Sequence, residues 1–227
     1  MNDLQEFDKG GLFINFGIMA SSGGSGKDTV ADILLAYLAS YDRHSKKYAL
    51  ADGIYDVCYS ILGNEDDIKR SHLQGVGESL RNVFGKDVWI NDTDKRIKSD
   101  QRFLDDVIVT DIRKLREFSH YFVDKGFVPL YIKVDKDIAL SRLKERDGYV
   151  QTENFGNKIE KELNFIESLP TIKTNIPNVS KVNVPNNSVL NSIYVIDNNS
   201  DVDELRVTIS MLVDNLAREE GWKLLEW

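Results

Sequence analysis

The chain has 227 residues, enough for one substantial α/β core, and no linker divides it. Its formal charge of −8 argues against a nucleic-acid partner, which would favour a basic stripe. The single cysteine, Cys58, excludes an internal disulfide and a thiolate metal cluster, and among Ile54, Val57, Ile61 and Leu62 it reads as a small core residue. Residues 1–11 are acidic and lack an apolar secretion segment, and no run is long enough to span a bilayer. The expectation is a protein of a reducing cytoplasm with no membrane partner.

The run Leu12-Phe13-Ile14-Asn15-Phe16-Gly17-Ile18-Met19 reads as a buried strand of a parallel sheet. Next comes Ser21-Ser22-Gly23-Gly24-Ser25-Gly26-Lys27-Asp28-Thr29, and then Val30, Ile33, Leu34, Tyr37, Leu38 and Tyr41 at helical spacing. A strand, a glycine-rich turn and a helix opening on a lysine make a phosphate-binding loop. Main-chain N–H groups curl around an anion, the helix N-terminus adds positive potential, and Lys27 supplies a full charge. The string departs from G-x-x-x-x-G-K-[ST] twice: Ser21 replaces the first glycine, and Asp28 stands where a magnesium-binding hydroxyl is usual, with Thr29 one place later. The competing reading is an ordinary β–α turn with a favourable acidic residue in the first helical turn.

Tyr48-Ala49-Leu50-Ala51 makes a short strand ending at Asp52, followed by helices over 54–62 and 68–84, the second with Leu73, Val76, Leu80 and Val83 on its buried side. Val107-Ile108-Val109 is a central strand ending at Thr110-Asp111, and the helix after it closes at Gly126. Val128, Leu130, Ile132 and Val134 mark a strand, and 138–146 a helix. The Asn/Pro/Ser-rich stretch 171–192 reads as an extended loop or a peripheral hairpin inserted before the last strand, Ile193-Tyr194-Val195-Ile196. Val202, Leu205, Ile209, Leu212, Val213 and Leu216 mark the final helix. Alternating strands and helices imply a parallel sheet covered on both faces, with ligands beyond the strands' carboxyl ends, where the glycine loop, Asp52, Asp111 and Asp197 gather.

Asp111 sits where a carboxylate reaches the magnesium beside a phosphate loop, and Arg113 is two residues on; the bland alternative for Arg113 is a surface salt bridge to Glu117. Arg70, Gln74, Gly77 and Arg81 share one helical stripe suited to a phosphate and a base, with Gly77 letting a ligand approach, or they form a plain solvated face. Arg142 and Arg146, four apart, point the same way as lid arginines or as solubilising charges. His44, His72 and His120 show no metal-ligand spacing.

Taken in order, several stretches resemble the deoxynucleoside monophosphate kinases, especially those of bacteriophages. They are Ser25-Gly26-Lys27-Asp28-Thr29-Val30-Ala31-Asp32, Tyr48-Ala49-Leu50-Ala51-Asp52, Leu73-Gln74-Gly75-Val76-Gly77 through Arg81 to Trp89-Ile90-Asn91, Thr110-Asp111-Ile112-Arg113 with Glu117, residues 142–148, and Ile196-Asp197-Asn198-Asn199. The resemblance implies a three-layer P-loop nucleoside triphosphate hydrolase fold in a single domain, 1–227. It has a five-stranded parallel sheet, a monophosphate-binding helical region at about 53–100 and a lid at about 142–165. It implies transfer of the γ-phosphoryl group of ATP to a deoxynucleoside monophosphate with Mg²⁺, in the host cytoplasm if phage-encoded, and leaves a homodimer open. On that reading Gly23, Gly24, Ser25, Gly26 and Lys27 cradle the β- and γ-phosphates, and Thr29 contacts the α- or β-phosphate. Asp28 and Asp111 serve the metal. Arg81 and Arg113 grip the acceptor phosphate, with Asp52 and Gln74 near its base or sugar and Arg70 also on the substrate side. Arg142 and Arg146 close over the transferring group, and residues 197–200 edge the adenine. Two other readings remain: a kinase of another small phosphorylated metabolite, such as phosphomevalonate or dephospho-coenzyme A, and a nucleotide-binding module without turnover.

Overall fold

The structure, a computed structural model, describes residues 14–20, 22–148, 162–163, 165–184 and 192–219. In chain order the elements are β1 (Phe16–Ala20), α1 (Lys27–Ala39), β2 (Ser45–Ala49), α2 (Asp52–Leu62), α3 (Arg70–Phe84), α4 (Val88–Asp100) and β3 (Asp106–Ile112). They continue with α5 (Leu115–Phe118, prolonged by a π-helical stretch, Ser119–Asp124), β4 (Val128–Lys133), α6 (Lys136–Asp147), α7 (Phe165–Ser168), β5 (Thr171–Lys173), β6 (Val179–Asn183), β7 (Ser192–Asp197) and α8 (Val202–Glu219).

The sheet has seven strands in the order β2-β3-β1-β4-β7-β6-β5. β2, β3, β1, β4 and β7 pair in parallel, whereas β6 runs antiparallel to β7 and β5 antiparallel to β6. The expected five-stranded parallel sheet is therefore corrected to a seven-stranded mixed one. The polar stretch 171–192 supplies the two extra strands as a hairpin on the β7 edge. Its strand β6 earns no attention as an apolar run because its two buried residues face opposite sides: Val179 joins one core and Val182 the other.

Those two cores cover the two sheet faces, which is why the central strands read as continuous apolar runs. One face meets α1 and α8 through Val30, Leu34, Leu38, Ile209, Leu212 and Leu216. The other meets α4, α5 and its π-helical prolongation through Ile90, Phe118, Tyr121 and Phe122. Gly17 in mid-strand leaves room for this second layer, since a Cβ there would stand 2.2 Å from Phe122 Cε1.

Helix α4 escaped the periodicity reading. Only Trp89, Ile90 and Thr93 are buried in it, too few apolar positions to advertise a face. The buried side expected for α3 is also corrected: Leu73, Val76 and Leu80 are half-buried, Val83 is 70 % exposed, and Gly77 alone is buried. No helix among the described residues is long and apolar enough to cross a membrane.

Candidate functional site

Because β1, β2, β3, β4 and β7 run parallel, the segments leaving their carboxyl ends converge on one edge. The β1–α1 loop holds the centre. Ser21, its first expected position, lies outside the described residues. Gly24 and Gly26 both adopt left-handed backbone, at φ 79° and 83°. Space demands glycine at each as well: a Cβ on Gly24 would lie 2.5 Å from the Ala139 carbonyl oxygen, and one on Gly26 would lie 2.4 Å from Asn198 Nδ2. Ser25 is 1 % exposed. The first helical bond of α1 is Val30 N–H to Gly26 O at 2.9 Å. Among the described residues, the main-chain N–H groups of residues 23, 24 and 26–29 have no hydrogen bond to a protein acceptor, while Ser25 closes the turn over 22–25.

Lys27, Asp28 and Asp111 meet directly beside this loop. Lys27 Nζ lies 2.6 Å from Asp28 Oδ2 and 3.2 Å from Asp111 Oδ1, and Arg113 Nη2 donates to the same Asp111 oxygen at 2.7 Å. Burial by itself would raise the Asp111 pKa, but the charges of Arg113 and Lys27 outweigh it and hold the carboxyl below its ordinary value. Asp111 also takes a positive φ of 65° near the end of β3, close to a register break between β1 and β3. A non-glycine residue there costs about 1–2 kcal/mol, strain of a kind that clusters at functional positions. Asp52 caps the end of β2, accepting the Ala49 N–H at 2.9 Å. Burial raises its pKa; the Ala49 N–H and Arg96 oppose this, and the charges of Asp111 and Asp56 add to it.

Glu117 joins this floor to α3. The sequence offers it as a surface partner of the Arg113 side chain. It is instead 4 % exposed, and its Oε2 accepts the main-chain N–H groups of Arg113 at 2.8 Å and Lys114 at 3.0 Å. Its other oxygen faces Arg81 Nη2 at 3.6 Å. Burial raises the Glu117 pKa against the pull of these donors and cations.

Arg81 is poorly bonded for so covered a cation. Its side chain is 14 % exposed, its one hydrogen bond runs to Gly77 O at 3.4 Å, and its buried Nε has no partner among the described residues. Gly77 does not open the helix to a ligand as expected. A Cβ there would meet Ile54 Cδ1 at 3.1 Å, and its carbonyl accepts the Trp89 indole N–H at 3.0 Å, so it serves helix packing. Arg70 and Gln74 lie exposed on the first turns of α3 and make no bond to this cluster among the described residues.

Arg142 is placed otherwise than as a lid arginine. Its guanidinium donates to Asn198 O and Ser200 O, both at 2.9 Å, fastening α6 to the loop after β7. Arg146 is exposed one turn on, and most of the expected lid, 149–161, lies outside the described residues. A cavity of about 250 Å³ between α1, α6 and α8 is lined by Gly26, Thr29, Arg142, Asn198, Ser200 and Leu205. A second, of about 410 Å³, lies between β2 and α4 with Asp52 at its edge. Of its four cations, Lys46, Lys47 and Arg96 are already matched by Asp100, Asp32 and Asp92 at 2.6–2.7 Å, and Lys95 is the fourth.

Two residues of the cluster carry more than the sequence suggests. In the sequence Asn198 stands only within a stretch edging a base, and Glu117 only as a partner for Arg113. Asn198 acts on a main-chain atom 173 residues away, which no spacing rule marks, whereas Glu117 takes the capping-box place three residues after Lys114, a local signal that could have found it.

No family model matches this sequence, and no curated protein matches it. Solved structures match over most of both chains. An unliganded sugar kinase from Janibacter sp. HTCC2649 is 12 % identical, with 89 % of this chain and 95 % of that chain covered at a TM-score of 0.47. An uncharacterized protein from Eubacterium ventriosum ATCC 27560 is 16 % identical, covering 88 % and 98 % at 0.42. TT1252 from Thermus thermophilus is 12 % identical, covering 89 % and 97 % at 0.48. At that level the likeness carries no functional argument.

Proposed function

We propose that the chain is a kinase that transfers the γ-phosphoryl group of ATP to a deoxynucleoside monophosphate, releasing ADP and the deoxynucleoside diphosphate. The observation that carries the reading is the set of main-chain N–H groups of Gly26, Lys27, Asp28 and Thr29 that no described protein atom accepts, placed at the head of α1 with the Lys27 side chain. A polyphosphate is a ligand that matches several consecutive amides at a helix N-terminus.

The acceptor side follows from Arg81 and Arg113. A largely covered guanidinium with an unmatched Nε, joined through Glu117 to the segment that carries Arg113, suits a phosphate taken in planar, bidentate fashion. The phosphate of the acceptor rests on this pair; its nucleoside part rests on the sequence resemblance.

In the transfer, an oxygen of the acceptor phosphate forms a bond to the γ-phosphorus while the bond to the β,γ-bridging oxygen breaks, and ADP leaves with that electron pair. The attacking oxygen is already ionised near pH 7, so no general base is required. The chain's contribution is alignment and charge neutralisation: loop amides and Lys27 on the donor, Arg81 and Arg113 on the acceptor. Asp28 and Asp111 both face Lys27 Nζ, and Asp111 is held ionised, so their oxygens fit a hard cation shared with phosphates. Mg²⁺ bound there would supply further neutralisation of phosphate charge. The cavity beside Gly26 and Thr29 adjoins the loop and suits the adenosine end of ATP.

The test is ADP release from ATP and Mg²⁺ with each deoxynucleoside monophosphate in turn, with phosphomevalonate and dephospho-coenzyme A alongside. Release dependent on one of the deoxynucleotides supports the reading. Release dependent only on another metabolite, or on no acceptor at all, overturns it.

A further inference from the structure

We infer that Asn198 is a positioning residue that aims the Gly26 N–H at the bound anion, so that the loop after β7 sets the geometry of the β1–α1 loop. This rests on the polyphosphate-binding reading above and names the support that reading needs.

The bonds form a chain from α6 to the loop. Arg142 holds the Asn198 and Ser200 carbonyls, the Asn198 N–H donates to Lys133 O at 2.8 Å at the end of β4, and Asn199 Oδ1 accepts the Asp135 N–H at 2.7 Å. Asn198 is thereby fixed on both sides of its own Cα, and it is 4 % exposed. Its side chain then donates from Nδ2 to the buried Ser25 carbonyl oxygen at 2.7 Å.

That last bond decides a direction. The chain has no cis peptide among the described residues, and in a planar trans peptide the carbonyl and the following N–H point opposite ways. Drawing Ser25 C=O toward Asn198 turns the Gly26 N–H away from it. It also removes the acceptor that the first turn of a helix would otherwise use. Ser25 O lies four residues before Thr29, yet the Thr29 N–H makes no bond to it. Two amides are thus left for a ligand by one side-chain contact. The left-handed Gly26, with no room for a Cβ beside Asn198 Nδ2, is the backbone conformation seen with this arrangement.

The experiment follows the Gly26 amide in ¹⁵N–¹H spectra of the full chain as pyrophosphate is titrated in. In the wild type the Gly26 proton is expected to move downfield on binding. Asn198→Ala removes the donor, and Asn198→Asp sets a carboxylate against the Ser25 carbonyl. Both are expected to abolish that movement and to weaken pyrophosphate binding roughly tenfold, the scale of one lost hydrogen bond. In turnover both should lower kcat and raise the ATP KM while leaving the acceptor KM unchanged, a split that general destabilisation does not produce. Should either variant fail to fold, Arg142→Met, which frees the Asn198 main chain, is expected to displace the same resonance. The inference is overturned if the wild-type amide responds and the variants respond equally, with affinity within twofold. A wild-type Gly26 amide indifferent to both pyrophosphate and ATP would instead sink the polyphosphate reading itself, and this inference with it.

Discussion

The β1–α1 loop and helix α3 carry the two sides of the proposed site, and the fold holds them in opposite ways. The loop is braced from α6 by Ala139, from beyond β7 by Asn198 and from beneath by the α1–α8 core, with contacts that tolerate no added methyl at Gly24 or Gly26. Helix α3 buries little beyond Gly77, leaves Val83 and Phe84 about 70 % and 69 % exposed, and presents an arginine whose best hydrogen bond is 3.4 Å long. Rigid packing on one side and sparse packing on the other assign different tasks. A loop that must offer several amides to one polyphosphate gains from being fixed in advance. A helix that must fit an acceptor gains from few buried contacts, since regions of low local contact density open most readily.

The largest break of this comparison is at the loop. Lys27→Ala is expected to reduce kcat in the ADP-release assay by about 100- to 1000-fold, the scale of one removed charge-stabilising donor. The melting temperature should fall modestly at most, because Asp111 loses one of the two cations beside its covered carboxyl and keeps Arg113. Near-wild-type turnover would end the assignment of the loop.

Arg81→Ala comes next. Its expected signature is an acceptor KM raised about 10- to 100-fold with the ATP KM unchanged, because a charge-assisted grip of about 1.5–3 kcal/mol is removed from one substrate alone. A raised ATP KM with an unchanged acceptor KM would mean that the two subsites are exchanged.

A smaller effect sharpens the contrast from the braced side. Tyr37 of α1 and Tyr41 in the turn just after it both donate to Asp214 of α8, and burial first, then this carboxylate, raises both phenol pKa values above their ordinary value. A phenol whose pKa is raised on folding contributes stability that is whole below about pH 10 and is lost as pH climbs through the native values. Urea unfolding between pH 8 and pH 12 should show wild-type stability falling across that window. The Tyr37→Phe/Tyr41→Phe double variant should fall less steeply. Parallel slopes would remove these tyrosines from the brace.

The smallest effect belongs to α3. Val83→Ala should alter unfolding free energy by no more than about 0.5 kcal/mol, as for other exposed positions. A cost of 2 kcal/mol or more would show that this end of α3 is packed against something, and the contrast drawn here would fail.

What was readable in advance was whatever local pattern carries. The apolar runs of β1, β3, β4 and β7 and the periodicity of α1 and α8 are consequences of burial on fixed repeats, and they announce themselves in any window of residues. The glycine loop with Lys27, and the aspartates at strand ends, were legible for the same reason: a tight β–α turn and a strand terminus are local events. The rest depended on groups far apart in the chain. Asn198 meets Ser25 across 173 residues, Arg142 turns to main-chain carbonyls rather than outward, and Gly77 is closely packed because Ile54 and Trp89 arrive from other helices. The β5–β6 hairpin joins the sheet through an edge that only β7 supplies. Side-chain types and their spacing fix which elements form and which edge collects them. Which donor meets which acceptor is settled only when the sheet sets those elements side by side, because a hydrogen bond reaches about 3 Å and carries no mark along the chain.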